Sequence, residues 1–230
     1  EGGKIFATRG AAFGYRVKVE EMPKYLPLAF TVTEDRRFYS HGGIDYRGLI
    51  RAFFRNWAAG GVVQGGSTIT QQLVKNLFLT PDQTLKRKAQ EARLAGDLER
   101  LLTKDEILDL YLNRIYLGAG AYGLDAAART YFGKQPADLT LAESAMLASF
   151  PKAPTRFANQ VQTSKAKERQ HYVLTQMVEA GFISQTQADE AKNQELIFAK
   201  DTPDTFTGHA LDYAVERVRE VLPNPPADLV

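Results

Sequence analysis

Apolar residues recur at helical spacing over most of the chain, and the polar positions between them repeatedly carry helix-start chemistry. Thr68 with Gln71, Thr103 with Glu106, Thr140 with Glu143 and Ser184 with Gln187 all show the three-residue offset of a capping box. After the first, Ile69, Leu73 and Leu77 lie one turn apart and predict a buried face. After the second, Ile107, Leu108, Tyr111, Leu112 and Ile115 predict a helix that stops at Gly118. The third helix should run to Phe150, where Pro151 ends it. Further helices are expected from Pro27 through Leu28, Phe30 and Val32 to Glu34, from Ser164 to Gly181, and over residues 209–222. An alanine-rich helix should close at Tyr131-Phe132-Gly133.

Two stretches break this pattern. Residues 4–20 look extended, with Ile5/Phe6 and Val17/Val19 flanking a turn at Gly10–Gly14. Residues 58–66 (AAGGVVQGG) hold four glycines and no charge, which predicts a flexible loop. There is no internal repeat. The fold class that follows is mainly α, with a short β element at the front.

Composition changes this picture little. Of 230 residues, 44% are hydrophobic and 24% charged, enough apolar material for a sizeable core. Lysine and arginine number 29 against 27 acids, so a nucleic-acid partner is not indicated and any anion must meet a local cluster. Cysteine is absent, which excludes disulfides, thiolate metal sites and a cysteine nucleophile. No apolar run reaches the ~18–20 residues needed to cross a bilayer.

Five segments are candidates for chemistry or binding. Glu34 opens EDRRFYSHGGID near the C-terminal end of its helix, where the dipole opposes a negative charge. Phe30, Val32 and Phe38 should desolvate it, which raises a carboxyl pKa and suits a general base. The ordinary alternative is an ion pair with Arg36 or Arg37, and His41 by itself reads as a turn residue. In GGSTITQQLVKN, a glycine-rich approach to a helix N-terminus offers free amides to a phosphate. Ser67, Thr68, Gln72 and Lys75 form a polar stripe there, opposite Ile69 and Leu73. No lysine directly precedes Ser67 or Thr68, so this is not a nucleotide-binding P-loop. In RKAQE, Arg87 and Lys88 stand four and three residues before Glu91, on one helix face. This is either a solvated charge cluster or an anion site built around an acid. The run YLNRIYLGAGAYG packs three glycines between helices and suits close packing. Finally, Phe53, Phe54 and Trp57 with Arg51 and Arg55 form either a membrane-interface surface or a buried aromatic cluster.

Together these segments resemble the peptidoglycan glycosyltransferases, glycosyltransferase family fifty-one, shared by monofunctional enzymes and bifunctional class A penicillin-binding proteins. EDRRFYSHGGID, GGSTITQQLVKN, RKAQE, ILDLYLNRIYLGAGAYG with YFGK, and LAESAMLASFPKAP stand in family order from Glu34 to Pro154. The resemblance implies a lysozyme-like helical fold with a smaller membrane-facing subdomain. Residues 1–22 would be an extended lead-in, 23–195 the transferase domain, and 196–230 the start of a linker toward a transpeptidase domain. By position, Glu34 is the implied base that deprotonates the 4-hydroxyl of incoming lipid II, and Glu91 the second catalytic acid. Lys75, Arg87 and Lys88 are the implied diphosphate-binding cations. Ser67, Thr68, Gln71, Gln72 and Asn76 are the implied polar lining of the cleft.

The implied reaction inverts the anomeric centre, forms a β-1,4 link and releases undecaprenyl diphosphate. The one cofactor the resemblance admits is Mg2+ or Mn2+, with Glu91 as the candidate ligand; no nucleotide cofactor is implied. The implied partners are lipid II, the growing lipid-linked strand, membrane lipids and, in the full-length protein, other cell-wall synthesis proteins. The implied location is the outer face of the cytoplasmic membrane, with the anchor lying outside this chain. The final block reads Ala148-Ser149-Phe150-Pro151 where alanine-glycine-leucine-proline is commoner; it looks structural, so the departure bears on packing. The alternatives weighed are a lytic glycosidase of the same fold, which leaves Lys75, Arg87 and Lys88 without a task, and a non-catalytic membrane-docking module.

Overall fold

Four side-chain hydroxyls start helices as the sequence predicts. The backbone N–H of Thr68 donates to Gln71 Oε1 at 3.0 Å while that of Gln71 donates to Thr68 Oγ1 at 3.1 Å. The boxes at Thr103, Thr140 and Ser184 close in the same reciprocal way. Each such cap stabilises its helix by about 0.5–2 kcal/mol. A fifth cap is Thr84, whose Oγ1 accepts the Arg87 N–H.

The computed structural model describes residues 12–61, 66–78, 84–158 and 161–199. Ten helices are found among them: α1 (Tyr25–Glu34), α2 (Tyr46–Ala58), α3 (Ile69–Phe78), α4 (Leu85–Leu101), α5 (Lys104–Leu112), α6 (Leu124–Phe132), α7 (Leu141–Ala148), α8 (Pro154–Ala158), α9 (Ser164–Glu179) and α10 (Gln185–Asn193). Two two-residue strands, β1 (Ala12–Phe13) and β2 (Ala121–Tyr122), pair in parallel. The fold is mainly α, as expected. Ile5 and Phe6, residues 62–65 of the expected glycine loop and the expected helix at 209–222 lie outside the described residues.

The core forms where α1 packs on α7 and α9, with α3 against α4 and α5, and α10 against α9. Leu26 and Phe30 of α1, Ile69 and Leu73 of α3, Tyr111 of α5, Tyr131 of α6 and Leu174 and Met177 of α9 are almost fully buried. Each buried side chain of this size stabilises the fold by roughly 1.5–3 kcal/mol. Because α1 is enclosed from two sides, its C-terminal residue, Glu34, is carried to the edge of the core rather than to open surface.

Several expected boundaries shift for local reasons. α1 begins at Tyr25, with Pro27 inside its first turn, where a missing N–H costs nothing. α5 ends at Leu112, because Asn113 caps it and turns its side chain to Asp109 O (2.7 Å) and Val17 O (2.8 Å). α7 ends at Ala148, two residues short of Phe150. Leu77 is exposed beside the exposed Phe78, and the buried part of α3 ends at Val74.

Residues on both sides of the expected 23–195 span pack on the helical body. Residues 15–19 are strapped to the body by side-chain acceptors: Asp125 takes the Tyr15 N–H, Asn113 that of Val17 and Asp109 that of Val19. Beyond α10, the Ala199 N–H donates to Tyr131 O at 2.9 Å and Phe198 stacks on Phe132. The same packing thus runs past residue 195. Gly123 makes the turn before α6 possible. Its φ is +84°, and a Cβ there would lie 2.6 Å from Asn113 O.

Candidate active site

Glu34 is the last residue of α1, and Asp35 then breaks the helix with φ −155°. That break turns the Glu34 side chain to an open cavity of about 680 Å³, within the range that holds sugar-sized ligands. Ser67, Thr68 and Gln72 line the same cavity. Gln72 Nε2 donates to Glu34 Oε2 at 3.1 Å, and Tyr111 Oη donates to Gln72 Oε1 at 3.3 Å. Burial pushes the Tyr111 phenol well above its ordinary pKa, so it stays a donor and orients the Gln72 amide with its N–H toward the carboxylate. Burial also raises the pKa of Glu34, and Asp35 adds to the rise. The Gln72 hydrogen bond, Arg169 and Lys152 pull in the other direction. Arg36 and Arg37 turn elsewhere, to Glu179 (3.4 Å) and to Asp45 (2.8 Å), so the ordinary ion-pair alternative for Glu34 does not form.

The rest of the first block fastens α1 to α3. Both Asp35 oxygens face His41 Nε2, at 2.9 and 3.0 Å, and Oδ2 accepts the Ile69 N–H at 3.1 Å. Thr68 Oγ1 donates to Gly43 O at 2.6 Å. Gly43 has φ +83°, and its α-carbon lies so close to α4 that a Cβ would meet Ala95 C and O at 3.0 Å. His41 is thus a buried tie rather than the plain turn residue its sequence position suggests.

The third block forms a compact ion cluster. Arg87 reaches Glu91 Oε2 at 2.6 Å and Lys88 reaches Oε1 at 2.7 Å; Lys88 Nζ also donates to Ser67 Oγ at 2.9 Å. Glu91 is 2% exposed, whereas the Lys88 side chain is 45% exposed. Ser67 therefore joins this cluster to the Glu34 cavity, with a half-exposed ammonium at the junction. Both oxygens of Glu91 are already held by cations, and among the described residues no three of His, Asp or Glu gather as metal ligands. This donor set does not fit a resident Mg2+ or Mn2+ at Glu91.

The structure therefore brings Glu34, Ser67, Thr68, Gln72, Lys88, Arg87 and Glu91 into one connected region. Gln71 is buried, and its side-chain oxygen caps α3. Thr68, although it lines the cavity, spends its hydroxyl on Gly43 and on that cap. Lys75 and Asn76 are exposed on the last turns of α3 and do not line the Glu34 cavity. Asp35, Lys152 and Arg169 also line the cavity and stand outside the residues that the sequence singles out. Lys152 belongs to the block taken as structural. Arg169 flanks the buried stripe of Ala166, Gln170 and Val173 on α9, a cation beside an apolar helix face, which is the signal it left.

The chain is similar in sequence and fold to known proteins. A family model described as Transglycosylase matches residues 3–178. Penicillin-binding protein 1A of Aquifex aeolicus is 46% identical over 210 residues, covering 91% of this chain and 29% of that protein. Penicillin-binding protein 1A of Escherichia coli is 42% identical over 222 residues, covering 96% and 26%. Penicillin-binding protein 1F of Bacillus subtilis is 47% identical over 180 residues, covering 78% and 25%. The crystal structure of penicillin-binding protein 1A from Haemophilus influenzae superposes with a TM-score of 0.54 at 25% identity, over 92% of this chain and 22% of that one. The chain thus spans between 22% and 29% of the length of these proteins. With a family match over most of its residues, it belongs to the transglycosylase family and is a glycosyltransferase domain of the kind carried by class A penicillin-binding proteins.

Proposed function

We propose that this domain polymerises lipid II into β-1,4-linked glycan, with inversion at the anomeric carbon. The observation that carries the reading is one cavity that joins a partly desolvated carboxylate, Glu34, to the Lys88 ammonium through Ser67. Glu34 takes the proton of the acceptor's 4-hydroxyl, and that oxygen forms the bond to C1 of the growing strand. The C1–oxygen bond to the diphosphate breaks, and undecaprenyl diphosphate leaves with the electron pair. Arg87 and Lys88 meet the charge that develops there. Glu91 anchors the two cations. With both oxygens paired to these cations, Glu91 is not assigned as a ligand of Mg2+ or Mn2+.

The decisive experiment supplies either lipid II or finished glycan strands to the protein. Consumption of lipid II with growth of glycan is expected. Cleavage of finished strands without polymerisation would instead make it a lytic glycosidase.

The exposed face of α2 supports membrane contact, and with it a place on the outer side of the cytoplasmic membrane. Phe53, Phe54 and Trp57 are 66%, 58% and 76% exposed, which removes them from the core. Arg51 and Arg55, also exposed, line the cavity, so this aromatic–basic face begins at the mouth of the cleft. Replacing the three aromatics by serine should weaken binding to anionic vesicles at least about tenfold, with little change in Tm. Unchanged vesicle binding would give these residues another partner.

A further inference from the structure

Glu34 stands where a negative charge is hard to keep. It is half-buried, at the C-terminal end of α1, and next to the acidic Asp35. The arginines that follow it in sequence are committed to Glu179 and Asp45. Counter-charge comes instead from far along the chain. Arg169 of α9 and Lys152 of the turn between α7 and α8 line the same cavity. The Arg169 Cζ lies 4.9 Å from the centre of the Tyr172 ring, and its Nε is buried without a hydrogen-bond partner. The ring holds the cation from one side and leaves this N–H uncommitted, an arrangement that serves a nearby anion.

We propose that Arg169, seconded by Lys152, is a positioning residue that keeps the Glu34 carboxylate ionised at neutral pH, ready to accept the acceptor's proton. The inference rests on Glu34 being the general base. Lys88 of α4, beyond Ser67, is taken up by Glu91. Asp35 opposes ionisation from the same chain segment, whereas α3 contributes only the neutral Gln72. Behind Gln72, α5 contributes the protonated Tyr111. On the cavity wall, Arg36 and Glu179 neutralise one another, as do Arg37 and Asp45. Arg51 and Arg55 of α2 are exposed and screened by solvent. Arg169 and Lys152 remain as the cations that oppose the burial of Glu34.

The test is the pH dependence of kcat/KM for lipid II polymerisation. In Arg169→Gln the acid limb should move to higher pH, since an ionised base becomes harder to form. At the acid end activity should fall about tenfold below the parent, the size of effect one neighbouring opposite charge has on a carboxyl. At the alkaline end it should return to within about twofold, which loss of a substrate contact or of structure would not do. Arg169→Lys should largely restore the parent profile. Lys152 is exposed, so Lys152→Met should fold normally and shift the limb less, in the same direction; it carries the test alone if Arg169→Gln does not fold. An equal loss at every pH in Arg169→Gln, or an unmoved limb in a folded Lys152→Met, overturns the proposal. Glu34→Gln run alongside separates the two readings. If that variant is inactive and the limb stays fixed, only the role of Arg169 falls. If it turns over at the parent rate, the general-base reading itself falls.

Discussion

Glu34→Gln should lower the rate of glycan formation by at least about 10²–10⁴-fold while leaving donor-analogue binding nearly unchanged. The amide keeps the size of the side chain and can still meet Gln72 Nε2 through its oxygen, but it cannot accept a proton. Stability should move in the opposite direction. Burial raises the Glu34 pKa, so the folded state holds this proton more tightly than the unfolded chain does. The cost of ionising Glu34 in the fold is therefore absent below the unfolded pKa and complete above the raised folded one. Glu34→Gln should accordingly have a higher Tm than the parent at neutral pH and an equal one in acid. Thermal melts at several pH values, beside turnover measurements, check both halves. A variant that polymerises lipid II at the parent rate removes Glu34 from the chemistry.

Glu91→Gln should damage both stability and the diphosphate site. The carboxylate is buried between Arg87 and Lys88, and the amide would present an NH2 group to one of two cationic donors. Removing one partner of a fully buried pair costs about 3–5 kcal/mol. Lys88 is half-exposed and water can take over part of its solvation, so about 1–3 kcal/mol is the expected loss, visible as a lower Tm. With the cluster loosened, Lys88 and Arg87 no longer meet the leaving diphosphate in fixed geometry. Charge-assisted hydrogen bonds of about 1.5–3 kcal/mol each make a fall of roughly 10–10²-fold in rate and donor-analogue affinity reasonable. Added Mg2+ or Mn2+ should not restore the activity. Tighter analogue binding with undiminished turnover would show that Glu91 merely offsets charge and does not hold the cations in place.

The helix starts were legible in the sequence because capping is local. Thr68/Gln71, Thr103/Glu106, Thr140/Glu143 and Ser184/Gln187 each close within one turn, and no distant contact is needed to form them. The Arg87–Lys88–Glu91 cluster was legible for the same reason, since spacings of three and four residues meet on one face of any helix. The position of Glu34 at the end of α1 likewise follows from the run of apolar residues before it. What failed at this level concerned exposure. Leu77 has the right spacing for a buried face, yet it is 38% exposed in the last turn of α3.

The sequence by itself therefore determined the capped helix starts and the short-range Arg87–Lys88–Glu91 cluster. Only the tertiary structure decided what surrounds Glu34. Gln72 reaches it because Asp35 ties His41 and the start of α3 to the end of α1, and Tyr111 then sets the direction of the amide. Arg36 and Arg37, its neighbours in sequence, face away, whereas Arg169 and Lys152 arrive through the packing of α1 against α7 and α9. A cap needs only the few dihedral angles of one turn, so its residues announce it. The electrostatic environment of a buried carboxylate is a sum over groups brought close by the whole fold, and no local pattern in the chain records that sum.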